Sequence, residues 1–272
     1  MDNTINISKY RTSKMLDFRK LLVVVYLEFR AVSGRKGDFI AKLTNPMVYL
    51  LFFAVGIKSL IGKEVTYNGL NVQYLDYVVP GLICIFMTNF LSHSLFRAII
   101  DKQWGLLGLK LLNGVSPLTY ILGMSIYPFV VFTLQSTIII LLSFIMFLVK
   151  YSIKTILIAY VLSYIAILFW TSLGIVLAMI VKNYHQRDLL ISIIILPITF
   201  TAPIFYSLDN VPLYVNIISK INPLTYFVEL IRSILLRKPN MLILSIALII
   251  TCFLVNIAIY AIRKTEMKSQ SF

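Results

Sequence analysis

Apolar residues along this chain come in long runs separated by short polar segments, not at the period of a soluble helix. A run of about 20 apolar residues crosses the roughly 30 Å hydrocarbon layer of a bilayer as a helix. On that measure the pattern predicts six spans, at roughly 42–62, 76–98, 120–149, 153–181, 189–206 and 241–262. Ahead of them, Met15 to Val32 follows another rule. Leu21, Val24, Val25, Glu28 and Phe29 share one helical spacing, and Asp17, Arg19, Lys20 and Arg30 take the polar positions. That pattern predicts an amphipathic helix lying in the membrane interface. The stretch SGRKGD, 33–38, reads as a turn, with Asn45-Pro46 in the first turn of the first span, where proline is tolerated. Residues 63–75 read as a short polar loop and 182–188 as a polar turn, while KYSI makes the third and fourth spans a tight antiparallel hairpin.

Two segments interrupt the rhythm. In DKQWGLLGLKLLNGVSPLTY, Leu106, Leu109 and Leu112 fall on one helical face, with Leu107 one residue off it. Lys102, Gln103 and Lys110 lie off that face, and Pro117 starts the return to the bilayer. The expected structure is a short helix across the cytoplasmic ends of two spans. Its apolar face would rest on the membrane base, and its remaining features would suit a groove on a soluble domain. The plainer alternative is a passive interfacial loop. Residues 207–240 are too apolar for an external loop and read as two short amphipathic helices broken at Asn222-Pro223. Irregular backbone at membrane depth survives only when buried in protein or lining a wet cavity. A re-entrant hairpin in the outer leaflet meets that condition. Glu229 and Arg232, three apart on its second helix, form either a local ion pair or a clamp against neighbouring helices.

Composition agrees with lipid as the solvent. Hydrophobic residues make up 59% of the chain and charged residues only 13%, and mean hydropathy is +0.89. A soluble domain is typically about a quarter charged. The net charge of +14 gathers at the ends of apolar runs, where it suits lipid headgroups, so nucleic acid is not an expected partner. The 25 Lys and Arg divide roughly two to one in favour of the side that carries both termini, which predicts cytoplasmic termini. Cys84 and Cys252 both fall inside apolar runs and form no metal or disulfide framework.

Catalytic patterns are missing from the sequence: no HExxH, no GxSxG and no clustered carboxylates. GIKSLIGKE, starting at Gly56, approaches a phosphate-binding loop but has one residue too many between its glycines and Glu64 after the lysine. Hence no nucleotide, cofactor or metal site is expected on this chain. What remains is a polar stripe on the second span, Asn89, His93 and Arg97, flanked by Thr88 and Ser92. Polar side chains in hydrocarbon are costly and face a cavity or a partner helix. The stripe is thus either a substrate path or gate, or an inter-helical hydrogen-bonding seam with Arg97 reaching the inner headgroups.

Four stretches together resemble the membrane subunit of ABC-2 type exporters, the drug, nodulation-factor and polysaccharide export permeases. They are RAVSGRKGDFIAKLTNPMVYLLFFAVG, YLDYVVPGLICIF, DKQWGLLGLKLLNGVSPLTYILG and ISKINPLTYFVELIRSILL. The third is similar to the family's cytoplasmic coupling segment, with Gly105, Leu111, Leu112, Pro117 and Gly123 at the expected places, although Asp101-Lys102 stands where the family often has Glu-Arg. The resemblance implies an all-α integral membrane protein of the bacterial plasma membrane, built from three parts. These are a cytoplasmic N-terminus with its interface helix (1–41), one six-helix domain (42–262) and a cytoplasmic tail (263–272). Within the six-helix domain lie the coupling helix, about 101–118, and the re-entrant region, about 207–238. It also implies a half-transporter that pairs with a second copy or a homologous permease and binds two ABC ATPase subunits, which hold the ATP and Mg. Asp101, Lys102, Gly105, Leu109, Lys110, Leu112 and Pro117 are the coupling residues on this reading. The expected function is ATP-driven export of an amphiphilic or lipid-linked substrate. A lipid-modifying membrane enzyme and a passive channel are the other classes.

Overall fold

The computed structural model describes residues 16–33, 36–54, 56, 64–67, 70–181, 184–208 and 211–265. Helix α1 (Phe18–Ser33) precedes α2 (Lys36–Val48), which runs on into a π-helical turn, Tyr49–Ala54. Two short antiparallel strands follow, β1 (Glu64–Tyr67) and β2 (Leu70–Gln73). Then come α3 (Tyr74–Gln103), α4 (Leu106–Leu112), α5 (Pro117–Phe147), α6 (Ile153–Ile180) and α7 (Tyr184–Thr201). The chain closes with α8 (Leu213–Ile221), α9 (Pro223–Leu235) and α10 (Met241–Lys264).

Among the described helices, α3, α5, α6 and α10 are long and apolar enough to cross a bilayer. At 1.5 Å per residue each exceeds the roughly 30 Å needed. The other two expected spans fall on α2 with its π turn and on α7, which is 18 residues long and carries Arg187 and Asp188 near its start. Helix α3 is the centre of the bundle. Its apolar window is 83% buried, against 28% for α10, so α3 is wrapped by protein while α10 keeps most of its surface for lipid. Close approach to α6 depends on Gly174, where a Cβ would sit 2.6 Å from the Leu91 carbonyl oxygen. Small residues at such crossings let membrane helices pack backbone to backbone.

Several expected boundaries move. Helix α2 starts at Lys36, inside the stretch read as a turn, and so places Pro46 within the helix. Proline has no N–H for the carbonyl four residues back. The Lys42 carbonyl freed in this way accepts from Gln135 Nε2 of α5 at 2.7 Å. Pro80 does the same in α3, and the Asp76 carbonyl accepts from the Tyr151 hydroxyl at 3.1 Å. In a medium without water such side-chain donors replace the missing backbone bond. Most of the expected polar loop at 63–75 is instead the β1–β2 hairpin, with Val65 opposite Val72. The expected turn at 182–188 is helical from Tyr184 onward. The sequence GIKSLIGKE falls largely outside the described residues, as do the N-terminal 15 residues and the tail beyond Thr265.

Candidate functional site

The interrupting segment forms a knot of buried charge beneath a small apolar helix. Gly105, at φ 68°, makes the left-handed turn that separates α4 from the end of α3. Only glycine adopts that conformation without strain. Helix α4 buries Leu107 and Gly108 and turns Leu106, Leu109 and Leu112 outward; Leu109 is 58% exposed and Trp104 beside it 67%. Leu107, expected one residue off the apolar face, is the leucine that enters the core of the bundle.

Charges expected on the outer side of α4 lie within the fold. Asp101 is fully buried, is paired with Lys110, and accepts from the Tyr120 hydroxyl of α5 at 2.8 Å. Lys102 Nζ donates to the carbonyls of Ala178, Met179 and Val181, and so caps the C-terminal end of α6. Cations are favoured there by the helix dipole and the unbonded last carbonyls. Pro117 is the first residue of α5, behind Ser116, whose hydroxyl accepts from Thr119 N. Lys20 of α1 donates to the Gly114 carbonyl at 2.9 Å. Through these contacts Lys110 ties α4 to α3, while the residues flanking α4, Asp101, Lys102 and Gly114, bond to α5, α6 and α1.

One turn before Asp101, Arg97 makes a two-pronged pair with Glu28 of α1, both contacts 3.0 Å, and Glu28 is fully buried. The fork-to-fork geometry is the strong form of an arginine–carboxylate bond. Arg97 thus holds the interface helix to α3 and does not reach for headgroups. Its fellow stripe residues part from it. Asn89 is exposed, and His93 stacks on Tyr127 with ring centroids 4.9 Å apart. Asn89 and His93 line a cavity of about 200 Å³ together with Lys42, Asn45 and Gln135. Glu28 carried a signal in the sequence, a carboxylate on the apolar side of an amphipathic helix. Gln135 and Tyr120 carried none.

The far end of α3 has a second buried charge. Arg232 of α9 is fully buried and pairs with Glu229. It also donates to the carbonyls of Tyr77 at 3.1 Å and Pro203 at 2.7 Å, and lies 3.7 Å over the Tyr77 ring. Tyr67 of the hairpin donates to Glu229 at 2.8 Å. Burial, and then the Glu229 carboxylate, push the Tyr67 phenol well above its ordinary range, so it remains a donor. Asn222, in the break between α8 and α9, caps Leu224 N at 2.9 Å and donates to the Ile198 carbonyl at 2.7 Å. Pro223 opens α9. The Glu229–Arg232 pair thus belongs to a network joining α9, α3, the hairpin and the 202–206 segment.

Long apolar helices around a central α3 define a multi-pass membrane protein. The family model described as ABC-2 type transporter matches residues 19–236, and the chain belongs to that family as a transmembrane transporter subunit. It is 24% identical over 215 residues to a transport permease, ycf38, of Cyanophora paradoxa, covering 79% of this chain and 73% of that protein. A shorter match, 28% over 85 residues, is to Protein SEY1 homolog 2 of Entamoeba histolytica, covering 31% of this chain and 10% of that protein.

Proposed function

We propose that the chain is the membrane half of an ATP-driven exporter in the bacterial plasma membrane, moving an amphiphilic or lipid-linked substrate out of the cytoplasm or inner leaflet. In this reading two copies, or this chain and a homologous permease, meet two ABC ATPase subunits, which hold ATP and Mg. Both termini and α4 face the cytoplasm, α2 and α7 complete six spans, and the α8–α9 hairpin dips into the outer leaflet. Trp104, Leu106, Leu109 and Leu112 then form the surface offered to the ATPase. Asp101, Lys102 and Lys110 work beneath them as the linkage that passes movement to the spans.

The observation that supports this most is the combination at α4. An exposed apolar side stands beside the buried Asp101–Lys110 pair, which holds α4 to α3, and the flanking residues bond to α1, α5 and α6 through Lys20, Tyr120 and Lys102. A passive loop has no need of such ties. Helices that dock in grooves are read through apolar anchors at this spacing. The test is co-purification with the ATPase and measurement of ATP hydrolysis in proteoliposomes. Leu109→Asp is expected to cut the permease-dependent stimulation at least tenfold without lowering thermal stability. Unchanged stimulation would remove α4 from the coupling path.

A further inference from the structure

The end of the molecule opposite α4 carries a group of exposed cations. Lys150 lies in the turn between α5 and α6, Lys154 in the first turn of α6, and Arg237 and Lys238 between α9 and α10; all four are exposed. None of them enters an ion pair among the described residues. Their backbones meet at one level. Tyr151 donates to the Asp76 carbonyl and Arg232 to the Tyr77 carbonyl, so the α5–α6 turn and α9 both sit at the start of α3. Thr251 of α10 donates to the Ile165 carbonyl of α6 at 3.4 Å. One helical run earlier, at the same distance along each chain, stand Met241 and Thr155, the latter next to Lys154. Of the described carboxylates at this end, Glu229 is spent on Arg232 and Tyr67, Asp76 is half-buried, and Glu64 alone is exposed. Positive charge therefore dominates this surface.

Exposed apolar side chains stand among the cations. Leu148 is 72%, Ile153 76% and Met241 70% exposed. Two of the eight-odd positions are also held in an uncommon backbone state. Leu148 and Arg237, at φ 58° and 59°, are the non-glycine residues in the left-handed region among the described residues. Each closes a helix: Leu148 N donates to the Phe144 carbonyl, and Lys238 N to the Ser233 carbonyl at 2.7 Å. Glycine usually fills such a position, because a Cβ is strained there. This end thus keeps one apolar and one cationic side chain where glycine would fit better, and turns both outward.

We infer that Lys150, Lys154, Arg237 and Lys238 form a seat for anionic phospholipid headgroups, with acyl chains lying against Leu148, Ile153 and Met241. The apolar neighbours select a phospholipid over a soluble anion, which would leave them in water. At the ends of spanning helices such mixed surfaces stand where hydrocarbon meets headgroups. Each Lys or Arg near an anionic membrane surface is worth about fivefold in association. The charge also runs against the usual sparing of one side of the membrane from Lys and Arg. The proposed orientation supplies only the leaflet, the outer one; binding needs neither ATP nor the ATPase.

The test uses the full chain in a neutral detergent, with bound lipids counted per chain by native mass spectrometry as phosphatidylglycerol, phosphatidylcholine or glycerol 3-phosphate is titrated in. Phosphatidylglycerol has the anion and the tails, phosphatidylcholine has no net charge, and glycerol 3-phosphate has no tail. The first phosphatidylglycerol is expected to bind at least tenfold more tightly than either of the others. Lys150→Gln, Lys154→Gln, Arg237→Gln and Lys238→Gln together should bring it within threefold of phosphatidylcholine. Arg19→Gln, Arg263→Gln and Lys264→Gln, which neutralise exposed cations toward the α4 end, should keep at least a fivefold preference. Arg237→Gly is expected to melt no earlier than the unmodified chain, because glycine fits that backbone, and still to bind phosphatidylglycerol at least threefold more weakly; Arg237→Lys should bind as the unmodified chain does. Equal affinity for the two lipids, a preference that survives the fourfold variant or the Arg237→Gly change, an equal loss in the variant of the α4 end, or glycerol 3-phosphate bound as tightly as phosphatidylglycerol would each overturn the inference. Lost lipid preference with intact ATPase stimulation defeats this seat alone; intact preference with a Leu109→Asp variant that still couples defeats the coupling assignment alone.

Discussion

At the scale of single residues, three charges among the described residues, Glu28, Asp101 and Arg232, are buried and act as fasteners. Glu28 and Arg97 come from elements far apart in the chain and meet with both prongs at 3.0 Å. Removing one partner of a buried pair costs about 3–5 kcal/mol because the other charge is stranded, whereas removing both is far cheaper. Glu28→Gln is therefore expected to lower stability by about that amount. The Glu28→Leu, Arg97→Leu double variant should recover most of it, as read from thermal unfolding of the detergent-solubilised chain. Unchanged unfolding in Glu28→Gln would mean that the pair carries no net stability. The Arg232 network makes a graded forecast. Tyr67→Phe loses one hydrogen bond to a carboxylate, about 1.5–3 kcal/mol. Arg232→Lys should cost more, because an ammonium cannot reproduce the planar fork over the Tyr77 ring. The opposite order of melting temperatures would show that the hairpin contact, not the arginine, anchors this end.

At the scale of elements, what could be read from the sequence depended on whether the signal was local. The ends of α5, α6 and α10 fall within a few residues of the expected spans because an apolar run bounded by Ser116-Pro117, Ser152 or Asn240 states its own limits. The helical break at Asn222-Pro223 was legible for the same reason. The β1–β2 hairpin was missed although EVTYNGLNVQ alternates around an Asn-Gly pair, a hairpin signal masked by the greasier context. The orientation of α4 was not legible. Which leucine turns inward is decided by packing on α3 and by the Asp101–Lys110 pair, whose partners attract only once the chain has folded back. Docking of α1 depends on another non-local fit. A Cβ at Gly123 of α5 would sit 2.5 Å from Val24 Cγ1. Gly123→Ala is thus expected to lift α1 from α5 and raise proteolysis near Arg30, and Val24→Ala in the same chain should reverse much of the effect. If Gly123→Ala alone leaves the cleavage pattern intact, α1 has room that the packing does not show.

At the scale of the whole molecule, the described helices fix a relation between faces before any orientation is chosen. Helix α5 has 31 residues and spans about 46 Å, so its two ends lie on opposite sides of a bilayer. The α4 segment is joined to the first end and residues 148–152 to the second. Trp104 and Lys150, both exposed, must therefore be reached from opposite compartments. The proposed export reading adds the sign, with Trp104 inside and Lys150 outside. Cys252 is an exposed thiol and must first be changed to alanine, whereas Cys84 is buried and can stay. In that background, a membrane-impermeant maleimide applied to intact cells is expected to label Lys150→Cys and to spare Trp104→Cys until the cells are opened. Labelling of Trp104→Cys in intact cells would place α4 away from any cytoplasmic ATPase and end the coupling proposal. Labelling of both from one side would contradict the span itself, because a continuous helix of that length has no water-filled route by which its two ends could share a compartment.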